Sequence, residues 1–340
     1  MNKLLEKLLW SFVRFIGGYH LTWSNFNKTK HDYGFYSDTG KYEYQIINHS
    51  SKKNIFVFKV IPRIINSSDT AIVSFHGQGC QFFSAIHTRR VLEIAEVSSL
   101  PVYCIDPRHF IRKTNIDGSP KLEVEIDPEV EKQSINNNFS VFFNDMQDDL
   151  CYLSKKHGIK KFIIVGHSLG GLKAGIFAKK LLSQQLDFEV VGLFCSMSLN
   201  NFFEAVWNNI TTMPPLKYLL QLMPRLTVFV HDICLRYFKH IGYHITFPKF
   251  DEFRDIPVLI TGYPHYDPDP VIPDNLSVVN NPDIPDQCKH YLYAVNRRKM
   301  NHFGSSKHSA LPSQIRSISP GYDNTTELKL FENFSNMIIK

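Results

Sequence analysis

The sequence predicts an α/β fold in which a mostly parallel, twisted β-sheet carries helices on both faces. Short, dense apolar segments alternate along the chain with longer segments of helical periodicity, which is the pattern of parallel strands joined by crossover helices. The apolar segments are typical of strands that are buried on both sides. With 340 residues and a hydrophobic content of 43%, the chain can bury a large core.

The first half of the chain begins with strands. Tyr42–Asn48 and residues 54–61 are predicted to form a hairpin, with the polar sequence SSKK as its turn. Thr70–Phe75 and residues 100–105 are predicted as buried strands, and residues 82–97 between them as a helix. The next segment, residues 107 to 140, is mostly polar and interrupted by glycine and proline, which predicts a long surface excursion.

The alternation continues in the second half of the chain. The predicted elements are helix 142–156, strand 161–165, helix 171–182, strand 188–194, strands 257–261 and 290–295, and a closing helix Asn324–Ile339. Residues 200–250 interrupt this order. They are rich in aromatic residues and leucine and contain several prolines, which predicts a helical insertion.

The predicted organisation is therefore an N-terminal amphipathic helix within 1–20, a core made of 40–199 and 251–340, and the helical insertion 200–250 as a cap. In the first sixteen residues the apolar side chains follow helical spacing. This helix is expected either to pack on the domain or to lie on a membrane surface with Trp10 at the interface; a degenerate signal or anchor is the remaining alternative.

Charge and cysteine usage exclude several classes of function. The formal net charge is +6 and no block of like charges is present, so the sequence does not indicate nucleic-acid binding. No apolar segment reaches the roughly 18 residues of a membrane span. The six cysteines show no spacing typical of zinc, and Cys104 and Cys195 lie in apolar strands, which favours a reducing compartment. We therefore expect a cytoplasmic protein with possible peripheral membrane contact through residues 1–16, without a metal or other cofactor.

The strongest chemical signal is the sequence GHSLG at residues 166–170, placed between a predicted strand and a predicted helix. A serine on such a sharp turn has a strained backbone, and Gly166 and Gly170 leave room beside it. The turn lifts the Ser168 hydroxyl to the carboxyl edge of the sheet, where the helix N-terminus directs backbone N–H groups at the reacting oxygen. The motif predicts that Ser168 is a nucleophile; a plain tight turn is the alternative.

With the glycine that follows it, the motif resembles the GHSLGG type of the α/β-hydrolases, found among lipases, esterases and serine-aminopeptidase-like enzymes. The resemblance runs from about residue 43 to the C-terminus, apart from the two insertions. It implies an α/β-hydrolase fold with a helical cap after the sixth strand. The serine at position 168 disfavours relatives with an aspartate nucleophile, such as dehalogenases and epoxide hydrolases.

The resemblance also implies an oxyanion loop. The sequence FHGQG at residues 75–79 follows a predicted strand and is similar to the HGxG loop of the family. Glycines there, including Gly77, let the backbone turn so that an N–H group faces the site. The backbone N–H groups of Gln78 and Leu169 are the expected donors, and the His76 side chain is expected to support the loop. An ordinary glycine turn is the alternative.

A serine hydroxyl needs an imidazole to accept its proton. In the family the chain order is serine, acid, histidine. This order implies His302, in the sequence MNHFG after the last predicted strand, as the base. His290 and His308 lie nearby and are expected to be structural.

The acid is expected after the strand at 257–261. The sequence DPVIP that begins at Asp269 resembles the ending of the family's acid loop, although its distance from Gly262 is longer than the family pattern. Asp269 is the first choice and Asp267 is the competitor, with an acid on another strand as the remaining alternative. This carboxylate would fix the tautomer of the imidazole and stabilise its charged form.

These residues together predict a serine hydrolase that cleaves a carboxylic ester through an acyl-enzyme. The apolar content of 200–250 suits a hydrophobic or lipid-like small-molecule substrate, unless those helices only pack on the body of the domain. Amide or peptide cleavage and acyl transfer use the same triad and remain alternatives. A non-catalytic relative that binds a hydrophobic ligand or a protein is a further alternative, supported by the irregular acid loop.

Overall fold

A computed structural model of the chain describes residues 42–48, 56–77, 85–105, 110–114, 120–126, 140–212, 218, 221–240, 244–263, 274–292 and 324–340. Within these ranges the strands are β1 (Tyr42–Asn48), β2 (Phe56–Pro62), β3 (Thr70–Phe75), β4 (Val102–Ile105), β5 (Phe110–Thr114), β6 (Pro120–Ile126), β7 (Lys161–His167), β8 (Glu189–Ser196), β9 (Val258–Gly262) and β10 (Lys289–Tyr291). The helices are α1 (Ala85–Ser98), α2 (Ser140–His157), α3 (Leu169–Leu182), α4 (Phe202–Thr212), α5 (Pro224–His240) and α6 (Asn324–Ile339).

Eight of these strands form one sheet in the order β1-β2-β4-β3-β7-β8-β9-β10. Strand β2 is antiparallel to both of its neighbours, and the pairs from β4 to β10 are all parallel. The predicted hairpin is present at one edge of the sheet, where Tyr42 pairs with Pro62 and Asn48 with Phe56. The sheet is therefore mostly parallel, as the sequence predicts.

Successive residues of the central strands face opposite layers of helices. In β7, the Phe162 and Ile164 side chains belong to a core cluster with α2 and α3. Ile163 and Val165 belong to a second cluster, which contains residues of α1 and α6. Because all four strand residues are buried, β7 is covered on both faces. The helices thus lie on both sides of the sheet, which confirms the predicted fold class.

The segment between β8 and β9 contains α4 and α5. The chain leaves and re-enters the core at one place, because the Phe202 N–H donates to the Ile245 carbonyl and the Phe247 N–H donates to the Asn200 carbonyl. The two helices contact each other through the rings of Phe203 and Phe238, whose centroids are 4.9 Å apart.

The excursion at residues 107–140 is more ordered than the sequence predicts. Strands β5 and β6 pair there as a separate two-stranded antiparallel sheet, with Phe110 opposite Ile126 and an irregularity between Arg112 and Thr114. The predicted N-terminal helix lies outside the described residues. Among the helices in the described ranges, none is both long and apolar enough to cross a membrane.

Candidate functional site

The turn between β7 and α3 places Ser168 on strained backbone. Its φ of 57° and ψ of −125° lie in the left-handed half of the backbone map, which L-residues rarely adopt. Serine at the start of a helix ordinarily accepts a hydrogen bond from the first turn, but the Ser168 side chain makes no such capping bond. The hydroxyl is therefore not used to cap the helix that it precedes.

The two glycines of the motif are required by close backbone contacts. A Cβ atom on Gly166 would lie 2.1 Å from the Gly170 carbonyl oxygen. A Cβ atom on Gly170 would lie 2.3 Å from the Phe75 carbonyl oxygen and 2.7 Å from that of His76. Because these neighbours are backbone atoms, they cannot rotate away. The spacing of the motif therefore lets the strand, the helix and the end of β3 pack together.

The end of β3 lies beside the serine. A Cβ atom on Gly77 would be 3.5 Å from the Ser168 Cβ and 3.3 Å from the His167 carbonyl oxygen. The His76 side chain is buried, and its Nδ1 donates to the Gly77 carbonyl at 3.1 Å, so this ring contacts its own loop. Leu169 is the first residue of α3, where helix N–H groups have no partner within the helix. Gln78, the other expected oxyanion donor, lies outside the described residues.

Strand β8 supports the turn from the other side. The Ser168 N–H donates to the Ser196 carbonyl at 2.9 Å, and the His167 Nδ1 lies 3.4 Å from the Ser196 hydroxyl. A Cβ atom on Gly171 would meet the Ser198 side chain at 2.6 Å. Ser196 and Ser198 are not among the site residues that the sequence predicts. Both lie beyond the end of the strand predicted at residues 188–194, and no local sequence pattern identifies them.

The predicted base and acids, His302, Asp269 and Asp267, lie outside the described residues. The register nevertheless shows where their segments leave the sheet. His167 pairs with Ser196, and Ser196 pairs with Thr261, so β7, β8 and β9 end at the same edge. At the usual strand spacing, β9 lies about 10 Å and β10 about 14 Å from β7 along that edge.

A buried carboxylate that the sequence does not predict lies beside the end of β9. Glu327, in the first turn of α6, accepts a hydrogen bond from the Thr261 hydroxyl at 2.5 Å and one from the Arg90 guanidinium at 2.8 Å. Its side chain is almost fully buried. Thr261 precedes the segment with the predicted acid, and Glu327 follows the segment with the predicted base. The contact therefore joins the end of one segment to the start of the other.

The buried Cys195 thiol also lies near the turn. Burial raises the pKa of the Cys195 thiol well above its ordinary value, and its Sγ donates to the Gly171 carbonyl at 3.4 Å. This thiol is therefore neutral and is a poor nucleophile at physiological pH. Within the described ranges, no three or more histidine, cysteine, aspartate or glutamate residues are grouped as a metal site would require.

Comparison with known proteins gives a structural likeness only. No family model matches the chain, and no curated protein matches it. Esterase LipW from Mycobacterium marinum is 12% identical, with 52% of this chain and 51% of that chain covered and a TM-score of 0.38. A thermostable esterase from Pseudomonas putida is 14% identical, with 65% and 64% covered and a TM-score of 0.39. An esterase/lipase from an uncultured bacterium is 14% identical, with 70% and 69% covered and a TM-score of 0.41.

The chain thus spans about half of the first of these esterases and just under two thirds of the second. Likenesses of this size carry no information about activity. The fold rests instead on the mostly parallel sheet, the helices on both of its faces and the serine turn at its carboxyl edge. On these features, the chain has an α/β-hydrolase fold with Ser168 at the strand-to-helix turn.

Proposed function

We propose that the chain is a serine hydrolase that cleaves carboxylic esters of hydrophobic or lipid-like substrates through an acyl-enzyme intermediate. The observation that carries this proposal is the backbone of Ser168, at φ 57° and ψ −125°, in a turn where the hydroxyl does not cap the following helix. A non-glycine residue persists in this conformation at a cost of about 1–3 kcal/mol, and such strain concentrates at functional sites.

In the proposed reaction the Ser168 oxygen attacks the ester carbonyl while His302 takes the hydroxyl proton. The negative charge that develops on the carbonyl oxygen is stabilised by the N–H groups of Leu169 and Gln78. His302 then protonates the leaving alcohol, and Asp269, or Asp267 in its place, stabilises the charged imidazole. A water molecule repeats the sequence on the acyl-enzyme and releases the carboxylic acid.

Three observations support parts of this proposal. Gly77 lies against the Ser168 Cβ, so the loop that continues to Gln78 starts beside the nucleophile. The segments with the predicted acid and base continue from β9 and β10, which end at the edge where Ser168 lies. A hydrophobic substrate is favoured by the aromatic side chains of α4 and α5 in the insertion that follows β8.

The proposal is tested with a fluorophosphonate probe, which reacts with activated serine hydroxyls. We expect labelling of the unmodified chain and none of Ser168→Ala. Ser183→Ala, which removes an exposed hydroxyl at the other end of α3, is the matched control and should be labelled normally. Absence of labelling in a chain with a normal thermal transition would contradict the proposal and favour a binding protein.

Variants of the remaining triad positions decide the acid and the base. His302→Ala should reduce labelling and ester hydrolysis by about 10³-fold or more, because removal of a triad member leaves only the oxyanion hole and binding. Asp269→Asn should also reduce labelling and ester hydrolysis, but by a smaller factor, and Asp267→Asn should change them little. The reverse order of the two aspartates would assign the acid to Asp267. Matched ester and amide substrates, with and without an added alcohol acceptor, separate hydrolysis of esters from amide cleavage and acyl transfer.

A further inference from the structure

Exposed large apolar side chains are concentrated in the sequence at the start of α5 and just before it. Among the described residues, five of the eight exposed large apolar side chains fall within twelve residues of the chain, so their exposure is local rather than scattered. We call these five the apolar tip: Tyr218, Leu222, Met223, Val228 and Phe229. Leu222 is 81% exposed, and Val228 and Phe229 are each 62% exposed. A soluble domain that concentrates apolar surface in this way normally uses it for binding.

The tip is distinct from the face of α5 that packs on the protein. Phe238 and Cys234 are buried, and the His231 ring meets the rings of Phe203 and Trp207 edge-on at 5.3 Å and 5.1 Å. This inner face already supplies the contact between α5 and α4. Val228 and Phe229 therefore do not stabilise the packing of the two helices, and their apolar character requires another explanation.

The exposed face of α5 also carries more basic than acidic charge. Arg225, Arg236 and Lys239 are exposed, against Asp232 as the single exposed acid of the helix. By helical spacing, Arg225 lies between Val228 and Phe229 on the same face. A bilayer interface that contains anionic lipids accepts apolar side chains and basic groups side by side, which matches this mixture of exposed valine, phenylalanine, arginine and lysine.

We infer that the apolar tip and the adjoining basic residues of α5 bind the surface of a membrane that contains anionic lipids. Val228 and Phe229 enter the boundary between headgroups and acyl chains, while Arg225, Arg236 and Lys239 contact lipid phosphates. This contact would give the proposed hydrolase access to lipid-like esters, and in this respect the inference rests on the proposed function. The surface itself is independent of the catalytic residues.

The place of the insertion in the fold agrees with this inference. The chain enters the insertion after β8, whose last residue supports the Ser168 turn, and the bridge between Asn201 and Thr246 closes the base of the insertion. The tip therefore belongs to a segment that starts at the same edge of the sheet as Ser168. The exposed Ile64 and Ile65 lie in the loop that leads into β3, at the opposite edge.

Co-sedimentation with vesicles tests the inference, using the full chain with Ser168→Ala so that hydrolysis cannot alter the lipids. We expect binding to vesicles of phosphatidylcholine mixed with phosphatidylserine, and weaker binding to phosphatidylcholine alone. The double variant Val228→Ser, Phe229→Ser should lose about tenfold or more in affinity. The double variant Arg236→Gln, Lys239→Gln should lose roughly fivefold per residue, and added salt should reproduce that loss.

The matched control is the double variant Ile64→Ser, Ile65→Ser, which removes two exposed apolar side chains at the opposite edge and should bind vesicles like the parent. Equal losses in both serine variants, unchanged binding in the Val228→Ser, Phe229→Ser variant, or no sedimentation of the parent would overturn the inference. The inference would also be wrong if the chain were a dimer without lipid and the Val228→Ser, Phe229→Ser variant were a monomer, because the tip would then be a contact between copies.

Fluorophosphonate labelling of the unmodified chain is measured separately. Absence of labelling together with normal vesicle binding would contradict only the proposed function.

Discussion

At the scale of single residues, the site depends on backbone geometry more than on side-chain contacts. Ser168 has a positive φ, while Gly166 and Gly170 are held against backbone oxygens at distances that exclude a Cβ atom. A Cβ atom on Gly192, in contrast, would lie 2.5 Å from Ile338 Cδ1, which is the end of a flexible side chain and can move, and 3.1 Å from the Phe334 ring. The rigid contacts of the motif explain why the chain requires glycine on both sides of the serine.

The strain at Ser168 predicts that glycine is a more stable replacement than alanine at this position. Ser168→Gly removes the steric cost of the positive φ, about 1–3 kcal/mol, against an entropic cost of glycine of about 0.5–1 kcal/mol. We therefore expect Ser168→Gly to be about 1 kcal/mol more stable than Ser168→Ala, with neither variant labelled by the probe. Chemical denaturation monitored by fluorescence measures the difference.

The control for this comparison is Ser183, at the C-terminal end of α3, where φ is −82°. At this ordinary backbone position Ser183→Gly should be less stable than Ser183→Ala, which is the reverse order. If alanine were the more stable substitution at both serines, position 168 would not be strained and the main support for the proposed nucleophile would be lost.

At the scale of elements, the sequence predicts most of the fold. Long segments with one consistent periodicity are predicted closely, and the bounds of α6 agree with the structure. Helix α3 begins at Leu169 rather than at residue 171, because glycines of the motif enter the helix where propensity disfavours them. Strands β5 and β6 are not predicted, because Pro120 begins β6 and charged residues interrupt both strands.

The site is predicted where it is local in sequence and not where it depends on distant contacts. The GHSLG turn is recognisable because all of its parts are consecutive. The contact of Glu327 with Thr261 joins residues 66 positions apart, and that with Arg90 joins residues 237 positions apart. No local pattern identifies such pairs, because the position of each partner depends on the packing of the whole sheet and both helix layers.

The buried carboxylate of α6 leads to a prediction at this scale. Glu327→Ala would leave the Arg90 guanidinium, which is only 14% exposed, without its carboxylate partner in α6. Removing one member of a buried ion pair costs about 3–5 kcal/mol, so thermal and denaturant unfolding should shift accordingly. Glu332→Ala, at an exposed position of the same helix, is the control and should change stability by less than about 0.5 kcal/mol. Equal effects at the two positions would show that the Glu327 contacts contribute little to stability.

At the scale of the whole molecule, the last helix completes the layer that covers one face of the sheet. Phe331 and Phe334 of α6 are buried, and the Phe331 ring lies 5.0 Å from that of Phe194 in β8. The same core cluster contains residues of α1 and of the central strands. Residues from elements along most of the described chain therefore pack against α6 or its neighbours in this cluster. One of these elements is β8, the strand that supports the Ser168 turn.

Deletion of residues 324–340 should therefore abolish cooperative folding rather than only remove a terminal helix. Burial of each phenylalanine contributes about 1.5–3 kcal/mol, and the lost Glu327 contacts add to this, so the sum is comparable to the whole stability of a domain. We expect the truncated chain to aggregate, to lack a sharp thermal transition and to resist labelling at Ser168. Deletion of the exposed Lys340 alone is the control and should leave all three properties unchanged. A soluble truncated chain with a sharp transition and normal labelling would show that the core of the sheet is stable without α6.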